Sequence, residues 1–281
     1  MTDRIGLIGA GNMGKALIQG LIESQTRQPE QIMVNDRDYG RMQSLEREWG
    51  VKACHDKAEL VREGRILVLA CKPKDVAGVA GELRGYLDAR HLVISVLAGM
   101  TLAWLQGALG TNVRVIRAMP NTSAAISASA TALAAGAHVT EADLAEAKRI
   151  FAAVGQVVTV PEAFMNAVTG LSGSGPAYVY RFVEALTEAG VTCGLNKELA
   201  LELTVQTLVG AVGMLRQNKC ASELRLAVTS PGGTTEAGLR ALEEGGFREA
   251  ILQAVRCATE RAAELSAELS RCVDNSSGAG I

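Results

Sequence analysis

Histidine is scarce in this chain: His55, His91 and His138 are the only three in 281 residues. Each stands beside a predicted strand or turn and reads as a surface or edge residue. A dehydrogenase acting on an alcohol usually needs a histidine or lysine base near the carbinol, and few candidates exist for that role here. Paired cysteines are missing too. Cys54, Cys71, Cys193, Cys220, Cys257 and Cys272 are scattered, with no C-x-x-C pair, so no zinc site, redox dithiol or other metal centre is expected. They read as reduced, mostly buried thiols of a cytoplasmic protein. No continuous apolar run approaches the roughly 18 residues of a membrane span. A net charge of −2 gives no reason to expect nucleic acid or an anionic membrane as partner. The start, Met1-Thr2-Asp3-Arg4, runs straight into the first predicted strand, leaving no room for a signal peptide.

What is present begins at once. Ile5 to Ile8 is a short apolar run that reads as a buried strand, and it ends in Gly9-Ala10-Gly11-Asn12-Met13-Gly14. Ala16, Leu17, Leu21 and Ile22 then follow at helical spacing. Strand, G-x-G-x-x-G turn and helix together point to a dinucleotide site. Gly9 permits the tight turn, Gly11 lets the backbone approach a pyrophosphate, and Gly14 lets the helix pack close. The pyrophosphate would sit on the free N–H groups of the helix start.

A second strand, 31–34, ends at Asn35-Asp36-Arg37, where ribose recognition is expected. Asp36 suits a ribose 2′-hydroxyl and hence NAD; Arg37 suits a 2′-phosphate and hence NADP. The balance favours NADP, with Asn35 sharing the ribose. A short edge strand at 51–54 precedes a helix capped by Asp56 and Glu59 in a capping-box pattern. The apolar strand 65–70 ends in Cys71-Lys72-Pro73-Lys74, at the sheet edge where ligands bind; Lys72 is either a cofactor contact or a surface turn residue. Strand 91–96 ends in Leu97-Ala98-Gly99, small enough for backbone to lie against a cofactor, and Thr101 caps the next helix. Strands at 113–117, 130–133 and 157–160 follow, with a helix near 141–151. The expected fold class is therefore α/β: a Rossmann-like doubly wound sheet over 1–160. Helices dominate afterwards, at 177–189, 197–217 and 247–269. The middle one is apolar over a wide arc (Leu199, Leu203, Val205, Leu208, Val209, Val212, Leu215), as a buried helix is. So small an all-helical domain, 161–272, has trouble covering such helices alone, which points to dimerisation. Residues 273–281 read as a disordered tail.

Two glycine clusters punctuate the helical half. Gly170-Leu171-Ser172-Gly173-Ser174-Gly175-Pro176 reads either as a capped helix joint or as a close approach to a ligand. Val228-Thr229-Ser230-Pro231-Gly232-Gly233-Thr234-Thr235 brings the hydroxyls of Ser230, Thr234 and Thr235 to a helix start, an anion site without a cation that suits a carboxylate.

Taken in order, Gly9 to Gly14, Lys72-Pro73, Met119-Pro120-Asn121-Thr122, Leu171 to Tyr178 and Ser230 to Thr235 make the chain resemble pyrroline-5-carboxylate reductases along nearly its whole length. The last two stretches are specific to that family; the first is shared by many dehydrogenases. The resemblance implies reduction of 1-pyrroline-5-carboxylate to L-proline, the last step of proline biosynthesis, with NADP(H) or alternatively NAD(H). It implies a helical domain that forms a homodimer, with dimers often assembled into a decamer. By position, the cofactor should meet Ile8, Gly9, Ala10, Gly11, Asn12, Met13 and Gly14, then Asn35, Asp36 and Arg37. It should also meet Lys57, the Cys71, Lys72 and Pro73 tip, and Val96, Leu97 and Ala98. The substrate should meet Val228, Ser230, Gly233, Thr234 and Thr235, with Thr235 and Ser230 as candidate catalytic hydroxyls. The chain departs from the family pattern at Ser123, where proline is common, and at Cys71, where valine is common. Lys57 lies near a place where an asparagine often contacts the adenosine. The implied chemistry needs no histidine base: a protonated cyclic imine is already electrophilic, and its proton comes from solvent or from a hydroxyl such as Thr235. Two other readings compete. Relatives of β-hydroxyacid and 6-phosphogluconate dehydrogenases look for a catalytic lysine early in the helical half, and here the first lysine after Lys148 is Lys197. A non-catalytic dinucleotide sensor would not need a second ligand site.

Overall fold

The computed structural model describes residues 4–218 and 220–277. Elements are numbered in chain order. The first stretch runs β1 (Ile5–Ile8), α1 (Asn12–Glu23), β2 (Ile32–Asn35), α2 (Tyr39–Trp49), β3 (Lys52–Ala53), α3 (Lys57–Glu63), β4 (Ile66–Leu69), α4 (Val76–Arg84), β5 (Leu92–Ser95) and α5 (Leu102–Leu109). Then come β6 (Arg114–Met119), β7 (Ser129–Ala135), α6 (Glu141–Ala152), β8 (Gly155–Thr159) and the short α7 (Met165–Val168). The rest is helical: α8 (Gly175–Thr192), α9 (Lys197–Asn218), α10 (Ala221–Ala227), α11 (Thr234–Glu244) and α12 (Phe247–Ser277).

The strands form one sheet in the order β3-β2-β1-β4-β5-β6-β7-β8. β1, β2, β4 and β5 are buried at every residue, as a parallel sheet covered on both faces requires. Alternate residues feed two cores. Ile5, Leu7, Ile66 and Val68 pack with Leu17, Leu21 and Phe151 on one face. Ile8, Leu67 and Leu69 pack with Leu60, Leu83 and Leu105 on the other. The β6–β7 pair is antiparallel, with Ile116 opposite Ala135. The connection between them holds only the 3₁₀ turn Thr122–Ile126 and is too short for a crossover helix. Periodicity does not reveal strand direction, so this departure from an all-parallel sheet was not legible.

Local signals behave as read at several helix starts. Thr101 accepts a hydrogen bond from the Trp104 N–H, and Asp56 accepts one from the Ala58 N–H. The capping box at Asp56 does not close, because Glu59 pairs with Lys52 at 2.7 Å instead. His91 is buried rather than at the surface. Its Nδ1 accepts the Asp88 N–H at 3.0 Å and its Nε2 lies 3.1 Å from the Val61 carbonyl, which fixes a turn. The thiols are less buried than expected. Cys54 is in the core, Cys71 and Cys220 are half-buried, and Cys193 and Cys257 are exposed; Cys272 lies outside the residues whose side chains are described.

The described chain divides into two compact units. One holds everything up to Ser174 and the residues from Cys257 onward; the other is Gly175–Arg256. The division thus falls later than 160/161, and the last helix begins in one unit and ends in the other. Residues 273–277, expected to be disordered, continue α12, while 278–281 lie outside the described residues. The first glycine cluster explains the later boundary. A Cβ on Gly173 would stand 2.7 Å from Met119 Cε, and Asn121 Nδ2 donates to the Ser172 carbonyl at 3.0 Å. The cluster and the Met119-Pro120-Asn121 motif therefore form one close-packed joint inside the first unit.

The second unit is largely uncovered. Among its described residues only Thr187, Ala200 and Thr204 are buried. Leu203, Val205, Val209 and Val212 of α9, expected inside, are exposed in the single chain, Val209 by 60%. Among the described residues α9 is also the one helix long and apolar enough, by length and composition alone, to cross a membrane. Its apolar residues are spread around the helix and interrupted by Glu198, Glu202 and Gln206, so it contains no continuous apolar run of the kind the sequence was searched for.

Candidate active site

The site grows out of the end of β1. Gly9 has a φ of +114°, and a Cβ there would lie 2.5 Å from the Ala70 backbone at the end of β4. Only glycine fits both the torsion and the space. A Cβ on Gly14 would stand 2.1 Å from the Gly9 carbonyl oxygen, so α1 packs directly on the turn that precedes it. Gly11 differs: a Cβ there would meet nothing within 4 Å. Its lack of a side chain serves no packing within the protein and leaves room for an outside group. Gly11 is also the N-cap of α1 and provides no side-chain bond to the helix N–H groups. An uncapped helix start beside open space is the environment a pyrophosphate fits.

That space belongs to a cavity of about 390 Å³ at the carboxyl ends of β1, β2 and β4. The sheet order reverses at β1 and β4, which is where such folds bind nucleotides. Ile8, Gly9, Gly11, Asn35, Asp36, Arg37, Lys57, Cys71 and Lys72 all line it. Five basic side chains (Arg37, Arg41, Lys57, Lys72, Lys74) and three acidic ones (Asp36, Asp75, Glu82) face it, an excess that suits an anionic ligand.

The ribose-loop residues have distinct tasks. Asp36 Oδ2 accepts the Ala10 N–H at 2.6 Å, and its Oδ1 accepts the Asp38 N–H at 2.8 Å. Its carboxylate thus staples the glycine turn to the loop after β2. Asn35 is buried, and its Nδ2 donates to the Cys54 carbonyl at 2.8 Å, so its amide nitrogen anchors β3. Arg37 reaches outward, 75% exposed, and pairs with Asp75 at 2.7 Å; Lys57 pairs with Glu82 at 2.8 Å. Burial pushes the Cys71 thiol up to about 11, so it is protonated near neutral pH.

Other predicted contacts do not line the cavity: Ala10, Asn12, Met13, Gly14 and Pro73, and Val96, Leu97 and Ala98 after β5. Met13 packs against the core. Arg41, Lys74, Asp75, Gly78 and Glu82 line the cavity and were missed. The spacing of Asp75, Gly78 and Glu82 along one face of the helix after β4 was the available signal.

The second unit carries the hydroxyl-rich turn. Val228 ends the short α10 as its C-cap, and Thr229 Oγ1 donates to the Arg225 carbonyl at 2.6 Å. Ser230, Thr234 and Thr235 are exposed. Gly232 has a φ of +71°, and the Gly233 N–H donates to the Ser230 carbonyl at 3.0 Å, turning the chain into α11. Gly233 is the N-cap and supplies no side-chain cap; a Cβ there would stand 2.5 Å from Ser230 Oγ. The turn already accommodates a carboxylate, since Glu236 Oε2 accepts the Gly232 N–H at 2.8 Å.

Comparison with known proteins bears on both units. Residues 162–265 match the family model described as pyrroline-5-carboxylate reductase dimerisation, and residues 4–99 match that of NADP oxidoreductase coenzyme F420-dependent. Pyrroline-5-carboxylate reductase 2 of Bacillus subtilis is 43% identical over 264 residues, covering 93% of this chain and 95% of that protein. The chain belongs to the pyrroline-5-carboxylate reductase family. The Methanosarcina acetivorans pyrroline-5-carboxylate reductase is also 43% identical, over 94% of this chain and 98% of its own length. The solved structure of the Coxiella burnetii reductase aligns with a TM-score of 0.90 and 38% identity, over 95% of this chain and 99% of that one. That of the Plasmodium falciparum pyrroline carboxylate reductase, with NADP bound, aligns at 0.82 and 29% identity, over 94% and 98%.

Proposed function

We propose that the uncapped start of α1 holds the cofactor pyrophosphate, that Arg37 and Lys57 hold its 2′-phosphate, and that Ser230 with the start of α11 holds the substrate carboxylate. The reaction is the family's: 1-pyrroline-5-carboxylate is reduced to L-proline, the last step of proline biosynthesis, with NADP(H), and alternatively NAD(H), as the hydride carrier. The open space at Gly11, on a helix start with no side-chain cap, is the observation that carries the cofactor assignment.

A dinucleotide held there would supply the hydride that reduces the imine carbon, with a proton delivered to the nitrogen. The chain's own task is to bind and orient. The N–H groups of Thr234 and Thr235 and the hydroxyls of Ser230, Thr234 and Thr235 grip the carboxylate and hold the ring still. Gly233 lets Ser230 approach the helix start, and Val228 borders the turn. No side-chain base is required, because the protonated imine is electrophilic by itself; Thr235, with Ser230, is the proposed proton-supplying hydroxyl. The test is consumption of NADPH and of NADH with 1-pyrroline-5-carboxylate, followed at the reduced-nicotinamide absorbance. Proline must appear as product. Protein that binds NADPH but turns over neither cofactor would overturn the reading.

The exposed face of α9 supports a homodimer through the helical unit. Val205, Val209 and Val212 share one side of that helix and are uncovered in the single chain. Val209→Asp is expected to shift the protein to a smaller species in light scattering after size exclusion; an unchanged mass would remove α9 from the interface. The mass of the wild-type protein then separates dimer from decamer. All five described cysteines are free thiols, which supports a reducing, cytoplasmic location.

A further inference from the structure

The two cations placed to meet a 2′-phosphate each carry an internal anion. Arg37 Nη2 lies 2.7 Å from Asp75 Oδ2, and Lys57 Nζ lies 2.8 Å from Glu82 Oε2. The partners are far apart in sequence, and both acids come from one segment. Asp75 ends the 3₁₀ turn Pro73–Asp75 at the start of α4, and Glu82 lies two turns further along α4. Seven residues apart, they share a helix face with Gly78, whose missing side chain leaves that face open to the cavity: a Cβ there would meet nothing within 4 Å. Both acids and both cations line the same cavity.

We propose that Asp75, seconded by Glu82, competes with the cofactor 2′-phosphate for Arg37 and Lys57, and so sets how strongly the chain distinguishes NADPH from NADH. This rests on the assignment of Arg37 to the 2′-phosphate. A phosphate docking on Arg37 has to displace or share the Asp75 carboxylate and meets its like charge. A ribose 2′-hydroxyl has neither difficulty. The internal pairs therefore tax NADPH binding and leave NADH binding nearly untouched, which moderates a preference that the basic cavity would otherwise make steep. Asp75 is the stronger competitor, being mostly buried while Glu82 is 60% exposed.

The experiment is fluorescence titration of NADPH and NADH, without substrate, on wild type, Asp75→Asn, Glu82→Gln, Arg37→Ala and the double variant Arg37→Ala/Asp75→Asn. Asparagine keeps the size of Asp75 and suits a helix start, so folding is preserved. Asp75→Asn is expected to tighten NADPH by about three- to fivefold, the scale of one exposed ion pair, and to change NADH less than about twofold. Glu82→Gln should tighten NADPH by a smaller factor. In the Arg37→Ala background, Asp75→Asn should bring a smaller gain, since only the like-charge repulsion is then left to relieve; an undiminished gain would overturn the competition for Arg37. Equal shifts for both cofactors, or weaker NADPH binding in Asp75→Asn, would overturn the proposal. The two possible failures are distinguishable. If Arg37→Ala erases the NADPH preference while Asp75→Asn changes nothing, only the competition is wrong. If Arg37→Ala leaves the ratio of the two Kd values unchanged, the 2′-phosphate assignment is wrong and the competition falls with it.

Discussion

Replacing Gly11 with alanine is expected to leave the fold standing and to weaken NADPH binding on the order of a hundredfold, whereas Gly14→Ala damages the fold itself. The two glycines belong to one motif, but their surroundings differ. A methyl group on Gly11 points into open cavity and meets no protein atom within 4 Å. It occupies the space in which the pyrophosphate must approach the backbone. Losing charge-assisted hydrogen bonds of this kind costs about 3 kcal/mol, which is the hundredfold. A methyl group on Gly14 would lie 2.1 Å from the Gly9 carbonyl oxygen. Backbone cannot yield as a flexible side chain can, so α1 must move off the turn, at a cost of about 3 kcal/mol. Urea denaturation of the ligand-free proteins, paired with NADPH titration, separates the two. Gly11→Ala with wild-type stability and wild-type NADPH affinity would show that no pyrophosphate lies there.

Thr235→Ala is expected to lower kcat/KM for 1-pyrroline-5-carboxylate by roughly ten- to a hundredfold, the value of one hydrogen bond to a charged group. How the loss divides between the two constants reports the role. A rise in KM with kcat unchanged means that Thr235 holds the carboxylate equally in ground and transition states. A fall in kcat that Thr235→Ser restores means that the hydroxyl acts in the reaction, as a proton donor would. An unchanged kcat/KM would remove Thr235 from both roles. Folding is not at stake, because Thr235 is exposed and Gly233, not Thr235, occupies the N-cap of α11.

Much of the site was legible because its chemistry is local. Ile5 to Gly14 contains strand, turn and helix start within ten residues, and each glycine's task follows from torsion and close approach. The hydroxyl-rich turn at 228–235 was legible for the same reason. The ribose loop was legible only in part. Arg37 reaches outward to Asp75, whereas the competing candidate, Asp36, spends its carboxylate on the Ala10 and Asp38 N–H groups. The bond to Ala10 crosses between two strands, and composition cannot announce it.

The sequence by itself determined the short buried strands, the turn chemistry that opens α1 and α11, the helical character of the second half, and membership of the family. These follow from side-chain period, backbone torsion and capping, which act over a few residues. Tertiary structure decided the reversed β6–β7 pair, the joint between Met119 and Gly173 that moves the boundary to Ser174, and the exposure of α9. It also decided that Arg37 faces Asp75 and Lys57 faces Glu82. Such pairings join positions tens of residues apart, and only the order and register of the sheet bring them within reach of each other.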